Sequence, residues 1–186
     1  MIRAIPIILG VFVLTGCSTK TTKVFHDIPI SIERTQTNHN IKITLGVNNI
    51  SIPSYLDTNK IVYVQSDGAI VSLRDLRWSA PFGVHMQNTI INQLQHTFPK
   101  STIREYPWGF YKQPLHILRV GIHSFVLQDN ILILKASYNI STKHKHNKTL
   151  SLKRELTTHE DEAIMYQMIA LITQLIDTIS QDIAKK

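Results

Sequence analysis

Residues 41–78 carry the pattern that most constrains the fold. The stretch opens with apolar residues at every second position, the spacing of a strand with one buried face, at Ile41, Ile43, Leu45 and Val47. We expect this strand to end near Pro53, because proline lacks the backbone donor that a sheet needs and holds the preceding residue extended. The chain then turns a corner at residues 52–57. We expect the side chains of Tyr55 and Leu56 to pack beneath the next strand.

A hairpin follows the corner. Two short apolar runs, at residues 61–65 and 69–73, are separated by Ser66-Asp67-Gly68. An Asp-Gly pair between such runs predicts a tight turn, because glycine adopts a positive φ without steric cost. Arg77 and Trp78 close this unit.

A helix is predicted after Trp78. Ser79 is expected to cap it, Pro81 to lie in its first turn and Pro99 to end it. Apolar residues recur there every four positions, which places them on one stripe of a helix; they are Phe82, Met86, Ile90, Leu94 and Phe98. We interpret the stripe as core. Residues 102–106 then predict an edge strand, and Pro107-Trp108-Gly109 a bend.

The second half of the chain predicts an antiparallel meander. Three alternating runs, at residues 115–127, 131–140 and 150–156, are separated by turn-forming residues at 128–130 and 146–148. In the first run, the residues predicted to share the buried face are Leu118, Val120, Ile122 and Val126. That face should lie toward a helix layer.

A long final helix completes the pattern. Thr157 or Thr158, followed three residues later by Glu160 or Asp161, predicts its start by the logic of a capping box. Its apolar stripe is Met165, Met168, Ile172, Leu175, Ile176 and Ile179. The stripe is interpreted as covering the sheet, with contact to lipid as the alternative. The predicted fold class is therefore α+β: a mostly antiparallel sheet packed against two amphipathic helices, forming a single domain.

The N-terminus predicts export and lipid anchoring. A short positive start is followed by an apolar run at residues 4–14, too short for a stable membrane anchor and typical of a secretory signal. It ends in Leu14-Thr15-Gly16-Cys17, a lipobox, so we expect cleavage before Cys17 and acylation of that residue. An ordinary signal with a chance cysteine is the alternative. The predicted boundaries are 1–16 for the signal, 17–22 for the lipidated tether and 23–186 for the folded domain.

Composition agrees with an exported protein. Cys17 is the only cysteine, so the domain must be held by its core rather than by a disulfide. Ser18 stands where an aspartate would favour retention in the inner membrane, which favours the periplasmic face of the outer membrane. No second long apolar stretch is apparent, so no spanning helix is expected. The formal charge is +7, and loss of Arg3 with the signal leaves +6. Such a surplus could meet anionic headgroups, an acidic partner or nucleic acid; in an exported lipoprotein nucleic acid is disfavoured, and we interpret the charge as serving solubility.

Residues with catalytic or metal-binding chemistry form no recognisable site. Of nine histidines, only His144 and His146 form a close pair, without the third and fourth ligands that zinc needs. His116 and His123 are predicted on opposite strand faces. The sequence contains no nucleophile elbow and no phosphate-binding glycine loop, although a triad assembled from distant loops stays open. We therefore predict no cofactor, no metal and no enzymatic activity.

Two tryptophans and three aspartates have structural interpretations beside functional ones. Tryptophan is enriched at binding hot spots, but core packing is favoured for Trp78, while Trp108 suits either role. Asp57, Asp67 and Asp75 are turn or cap residues by context.

The order of these elements resembles the PqiC family of ABC-transport auxiliary lipoproteins. In that family a strand runs into a proline-tyrosine-leucine-aspartate corner, then an isoleucine-valine strand, then an arginine-tryptophan pair before a helix. The matching residues are Pro53, Tyr55, Leu56, Asp57, Ile61, Val62, Arg77 and Trp78. The likeness spans residues 41–108. It departs after Trp78, where the family commonly has an acidic residue before a proline-leucine pair and this chain has Ser79-Ala80-Pro81-Phe82.

The resemblance implies a non-enzymatic lipoprotein component of a Pqi lipid-transport system. Its partners would be an MCE-domain bridge protein similar to PqiB and an integral inner-membrane protein similar to PqiA. The resemblance also implies a homo-oligomeric ring onto which the bridge docks. Two other functions stay open on the residues alone: a lipoprotein regulator or scaffold of cell-wall synthesis or of a secretion machine, and a periplasmic hydrolase.

Overall fold

The structure is a computed structural model that describes residues 24–26, 41–109, 113–141 and 147–185. One sheet and two helices make up this described part of the chain. In chain order its elements are β1 (Val24–His26), β2 (Thr44–Val47), a 3-10 turn (Ser54–Leu56), β3 (Lys60–Gln65), β4 (Ile70–Trp78), α1 (Phe82–Thr97), β5 (Thr102–Glu105), β6 (His116–Gln128), β7 (Ile131–Ser141), β8 (Asn147–Glu155) and α2 (Asp161–Ala184).

The sheet is mixed. Its two longest pairings, β6 with β7 and β7 with β8, are antiparallel, as is the hairpin of β3 and β4. Four shorter pairings are parallel: β1 with β4, β2 with β5, β2 with β6, and β3 with β6. The α+β class is thus confirmed, while the sheet carries more parallel pairing than the alternation alone suggested, because alternation does not encode strand direction.

The predicted corner interrupts a strand that runs beside β6. β2 pairs with the first part of β6 and β3 with its last part, both parallel to it. Between them Ser51 bridges Gly121, and the chain then leaves the sheet at Pro53 and returns at β3. The corner is therefore an excursion between two segments that share one neighbour.

The hairpin is confirmed, and β4 is longer than predicted. Gly68 has a φ of +89° in the turn, and the Asp67 carboxylate accepts a hydrogen bond from the Ala69 amide. β4 continues to Trp78 through an irregular stretch in which Asp75 has a φ of +52°. Asp75 is thus a residue of an irregular strand rather than of a turn or cap. The Arg77 guanidinium donates to the carbonyls of Leu73 and Leu76, which stabilises this irregularity.

The meander of β6, β7 and β8 is confirmed, with one correction in β6. The pairing with β7 shifts between Ile122 and Ser124. Such a bulge adds a residue to one strand and reverses which side chains face the core beyond it. Phe125 and Leu127 are consequently buried, whereas Val126, predicted on the core face, is not.

The two predicted turns of the meander differ in outcome. Asp129, with a φ of +53°, lies in the turn between β6 and β7. The second turn is predicted at residues 146–148, but Asn147 and Lys148 already belong to β8 and pair with β7. Residue 146, like His144, lies outside the described residues.

Both helices bury the predicted stripes, but neither is capped as predicted. The stripe of α1 from Phe82 to Phe98 is at most 1% exposed, and that of α2 is equally enclosed. Ser79 is not the N-cap of α1, which follows Pro81 without a side-chain cap. α2 begins after Glu160, also without one, and the Thr158 hydroxyl instead accepts from the Glu160 amide. Its first-turn Asp161 accepts from the Arg74 amide of β4.

Among the described elements, α2 is long and apolar enough to cross a membrane by length and composition. The sequence expectation of no second such stretch was therefore wrong. More than half of its most apolar window is buried inside the domain, with Met165, Leu171 and Ile172 fully enclosed. α2 is the core helix of this domain, and it packs against β7, β8 and β4.

A polar cluster fastens the end of α2 to the sheet. The Tyr138 hydroxyl of β7 and the Lys148 ammonium of β8 both donate to the Asp182 carboxylate, whose side chain is 13% exposed. Lys185 lies 3.7 Å from the same carboxylate. Burial acts to raise the pKa of Asp182, but the two hydrogen bonds and the charges of Lys148 and Lys185 together lower it below its usual value.

We expect Asp182→Asn to lower the free energy of unfolding by about 1–2 kcal/mol at pH 7, a modest value because Lys148 is half exposed. Since the folded pKa is the lower one, the carboxylate stabilises the fold above its unfolded pKa of about 4. This contribution disappears as the pH falls through the folded pKa. Urea unfolding at pH 7 and at pH 3 measures the free energy of unfolding of the two proteins under each condition. Glu155→Gln, an exposed carboxylate on β8, is the control, and equal losses in the two variants would contradict the cluster.

Candidate functional site

The corner at residues 52–57 packs against the start of α1, and the backbone just after it forms hydrogen bonds there. The amide of Phe82, the first residue of α1, donates to the Thr58 carbonyl at 3.1 Å, and the Trp78 amide donates to the Asn59 carbonyl at 2.8 Å. The backbone just after the corner thus supplies an acceptor that an N-cap side chain would otherwise provide. A Cβ on Gly83 would stand 3.2 Å from the Ile52 side chain, so helix and corner are closely packed.

Trp78 is a core residue. Its side chain is 1% exposed and stacks on the ring of His85, with centroids 5.3 Å apart. Phe82 lies against the same indole at 5.5 Å and contacts Phe125 from the sheet. The Ser79 hydroxyl lies 3.2 Å from Nδ1 of His85. The indole therefore joins β4 to α1 and offers no surface to a partner.

The remaining corner residues are divided between core and surface. Leu56 is 2% exposed and belongs to the core. Pro53 and Tyr55 are half-buried, and burial raises the pKa of the Tyr55 hydroxyl. Asp57 is exposed, and its amide closes the 3-10 turn on the Ser54 carbonyl. The corner thus has a structural function along most of its length.

Trp108 lies in the connection between β5 and β6. The described residues Tyr106 and Pro114 of this connection pack closely on Gly46 of β2, whose added Cβ would meet Pro114 at 2.9 Å and Tyr106 at 3.0 Å. The indole is half-buried, and the Arg104 guanidinium lies 5.9 Å from its ring. Its Nε1 is enclosed and has no hydrogen-bond partner among the described residues. Leu115, at the end of the same connection, is 75% exposed.

A polar groove lies on the face of β6 and β7 that points away from the helices. Its volume is about 500 Å³, and Gly121 forms part of its wall. The strand register sets Arg119 opposite Asn139, and Asn139 opposite Asn147 of β8. Ser137 stands opposite Gly121. The polar side chains that line the groove are Ser51, Arg119, His123, Ser137, Asn139, Ser141 and Asn147.

Within the groove a histidine and a serine meet. Nε2 of His123 lies 2.9 Å from the Ser137 hydroxyl. This is the distance expected between a serine nucleophile and a histidine that acts as its general base. The described residues provide no carboxylate that orients this imidazole, and His123 is exposed. Among the described residues, the pair therefore lacks the third group and the dry surroundings that activate a serine in a triad.

The remaining sequence predictions concern metal binding and the lipidated cysteine. In the part of the chain that the structure describes, no group of three or more His, Cys, Asp or Glu side chains is placed to hold a metal ion. Cys17, His144 and His146 lie outside the described residues.

Sequence reasoning missed the groove. Arg119, Ser137 and Asn139 come from two strands, and only the register brings them together. Their sole signal in the sequence is a polar outward face on the alternating strands, which is what any solvated sheet shows. The residue types alone could not locate the groove.

Comparison with known proteins decides the family. A family model described as the ABC-type transport auxiliary lipoprotein component matches residues 28–184. The chain belongs to this family. The resemblance seen in residues 41–108 is thereby confirmed, and the match extends over the meander and α2. The family is one of transport auxiliary lipoproteins and not an enzyme family.

Curated relatives agree with this assignment. The "Intermembrane transport lipoprotein PqiC" of Escherichia coli (strain K12) is 27% identical over 106 residues, which cover 56% of this chain and 57% of that protein. The protein of the same name from Shigella flexneri matches equally. The chain thus spans little more than half the length of these relatives.

Solved structures share the fold. A crystal structure of an uncharacterised protein superposes with a TM-score of 0.69 at 18% identity, over 87% of this chain and 99% of the other. The crystal structure of a Xanthomonas campestris protein also gives a TM-score of 0.69, at 9% identity, over 86% of this chain and 95% of the other. At these identities the likeness concerns the fold alone, and it covers the helices and the sheet as one unit.

Proposed function

We propose that this family member is the outer-membrane lipoprotein of a Pqi-type lipid-transport system. The observation that supports this is the family match over residues 28–184 together with the likeness to PqiC. Residues 1–16 would be removed, Cys17 would carry the acyl chains, and residues 17–22 would tether the domain that starts at residue 23 to the periplasmic face. Acyl chains each contribute about 0.8 kcal/mol per buried methylene, so several chains give lasting attachment.

The protein would act by binding rather than by catalysis. It would dock with an MCE-domain bridge protein similar to PqiB, which would reach toward an integral inner-membrane partner similar to PqiA. A homo-oligomeric ring of this lipoprotein would receive the end of the bridge. The half-buried Trp108, with the exposed Leu115 on the same connection between β5 and β6, supports a partner contact there, since tryptophan is enriched at binding hot spots. The match to a family of transport auxiliary lipoproteins supports a non-enzymatic function.

A scaffold of cell-wall synthesis or of a secretion machine is the competing function. Capture of the tagged, lipidated protein from chemically cross-linked envelopes separates the two, because they differ in what is recovered. The transport function predicts an MCE-domain protein among the cross-linked products. A scaffold predicts cell-wall synthases or secretion-pore subunits, and an untagged strain gives the background for both.

A further inference from the structure

The groove on the outer face of β6 and β7 has the chemistry of an anion site. Arg119 carries a full positive charge into it, and His123 and the exposed Lys135 lie further along the same face. None of the described lining residues is a carboxylate. Two ion pairs of described residues, of Lys148 and of Lys185 with Asp182, lie at the end of α2 instead. The positive charge of Arg119 is thus not balanced by a described acid.

Neutral donors surround this charge. Asn139 stands opposite Arg119 in the register, and Asn147 of β8 continues the row across a third strand. Ser137 lies one row along, opposite Gly121. Because Gly121 has no side chain, Ser137 and His123 can lie close above its backbone; an added Cβ would stand 3.2 Å from the Ser137 hydroxyl and 3.4 Å from Cε1 of His123.

The number of these donors suits a phosphate group better than a carboxylate. They come from three neighbouring strands whose backbones together span about 10 Å, so they reach one bound group from different sides. A phosphate offers oxygens in several directions and pairs well with the planar guanidinium fork, which amide and hydroxyl donors then supplement. A carboxylate has two oxygens in one plane and would leave part of this row unused.

We propose that the groove is a binding site for a phosphate group, held by the Arg119 guanidinium together with Asn139, Asn147 and Ser137. The phosphate belongs to a phosphodiester lipid headgroup or to a free phosphate. The inference is drawn from the groove's own residues and does not require the proposed docking to a bridge protein.

The test is a ³¹P NMR titration of the full-length lipidated protein in a non-ionic detergent. One arm uses inorganic phosphate and the other glycerophosphoglycerol, a water-soluble headgroup diester, each at an ionic strength kept constant with chloride. We expect saturable binding that Arg119→Gln weakens at least about tenfold. Lys153→Gln is the matched control: it removes one charge from the same face, roughly 20 Å along β8 from Asn147, and should change the affinity less than about twofold.

The outcomes distinguish a lipid headgroup from free phosphate as the ligand, and they can overturn the proposed binding site. Binding of the diester alone assigns a lipid headgroup, and binding of inorganic phosphate, alone or with the diester, assigns a site for free phosphate. If Arg119→Gln does not fold, Ser137→Ala provides a second test. This variant leaves every charge in place and should weaken the binding in part. Absence of saturable binding of either ligand, or equal weakening by Lys153→Gln and Arg119→Gln, would overturn the proposal.

Discussion

Trp78→Ala is expected to lower the free energy of unfolding by about 3–5 kcal/mol, a large part of the stability of a domain of this size. The indole is fully enclosed between His85, Phe82 and the sheet. Its removal leaves a cavity where β4 meets α1, and the surrounding residues are held by the corner and cannot all collapse into it. Denaturant unfolding followed by circular dichroism measures the loss.

Trp108→Ala is the matched control for this prediction. It removes the same side chain from a half-buried position on the connection between β5 and β6, so we expect less than half of the Trp78 effect. An unfolding midpoint unchanged by Trp78→Ala, or a larger loss from Trp108→Ala, would contradict the assignment of Trp78 to the core.

Cys17→Ala is expected to abolish lipid anchoring completely. The lipoprotein signal peptidase acts on a cysteine that already carries a diacylglyceryl group, so the alanine variant should persist as the uncleaved precursor of residues 1–186. Incorporation of a labelled fatty acid and the shift in gel mobility measure both steps. A normally cleaved, soluble periplasmic product would contradict the lipobox and favour an ordinary signal with a chance cysteine.

Substitutions at the neighbouring residue provide controls. Ser18→Ala keeps the cysteine and should leave acylation and cleavage intact. Ser18→Asp introduces the residue that favours inner-membrane retention and should move the protein between membrane fractions without changing its acylation. The two variants thus distinguish the effect on lipid anchoring from the effect on the choice of membrane.

Features that depend on neighbours in sequence could be predicted. The four-residue spacing from Phe82 to Phe98 gave α1, and the Asp67-Gly68 pair gave the hairpin, because each pattern is complete within a few residues. The alternation in residues 131–140 gave β7 with its buried face. The break at Pro53 was predicted for the same reason.

Features that depend on distant partners could not be predicted. The bulge after Ile122 exchanges Val126 for Phe125 and Leu127 in the core, and no residue in β6 marks it. The start of α1 is satisfied by the Thr58 carbonyl, and a backbone acceptor leaves no trace in the side chains. The parallel pairing of β2 and β3 with β6 arises only once the corner has folded.

The same limit applies to the groove. Arg119, Asn139 and Asn147 form one row only because β6, β7 and β8 adopt this register. A shift of one residue in either pairing would send alternate side chains to the other face. The family resemblance did not reveal the groove either, because its matching residues end before β6 begins.

The measurement that tests the central claim most directly is the identity of the protein that cross-links to the lipidated chain in intact cells. The proposed function predicts that an MCE-domain protein is recovered with the C-terminally tagged protein, above the untagged background. Its ratio to the lipoprotein would then give the stoichiometry of the assembly. Recovery of cell-wall synthases or secretion-pore subunits without an MCE-domain protein would contradict the proposal, and the family fold would then serve a different machine.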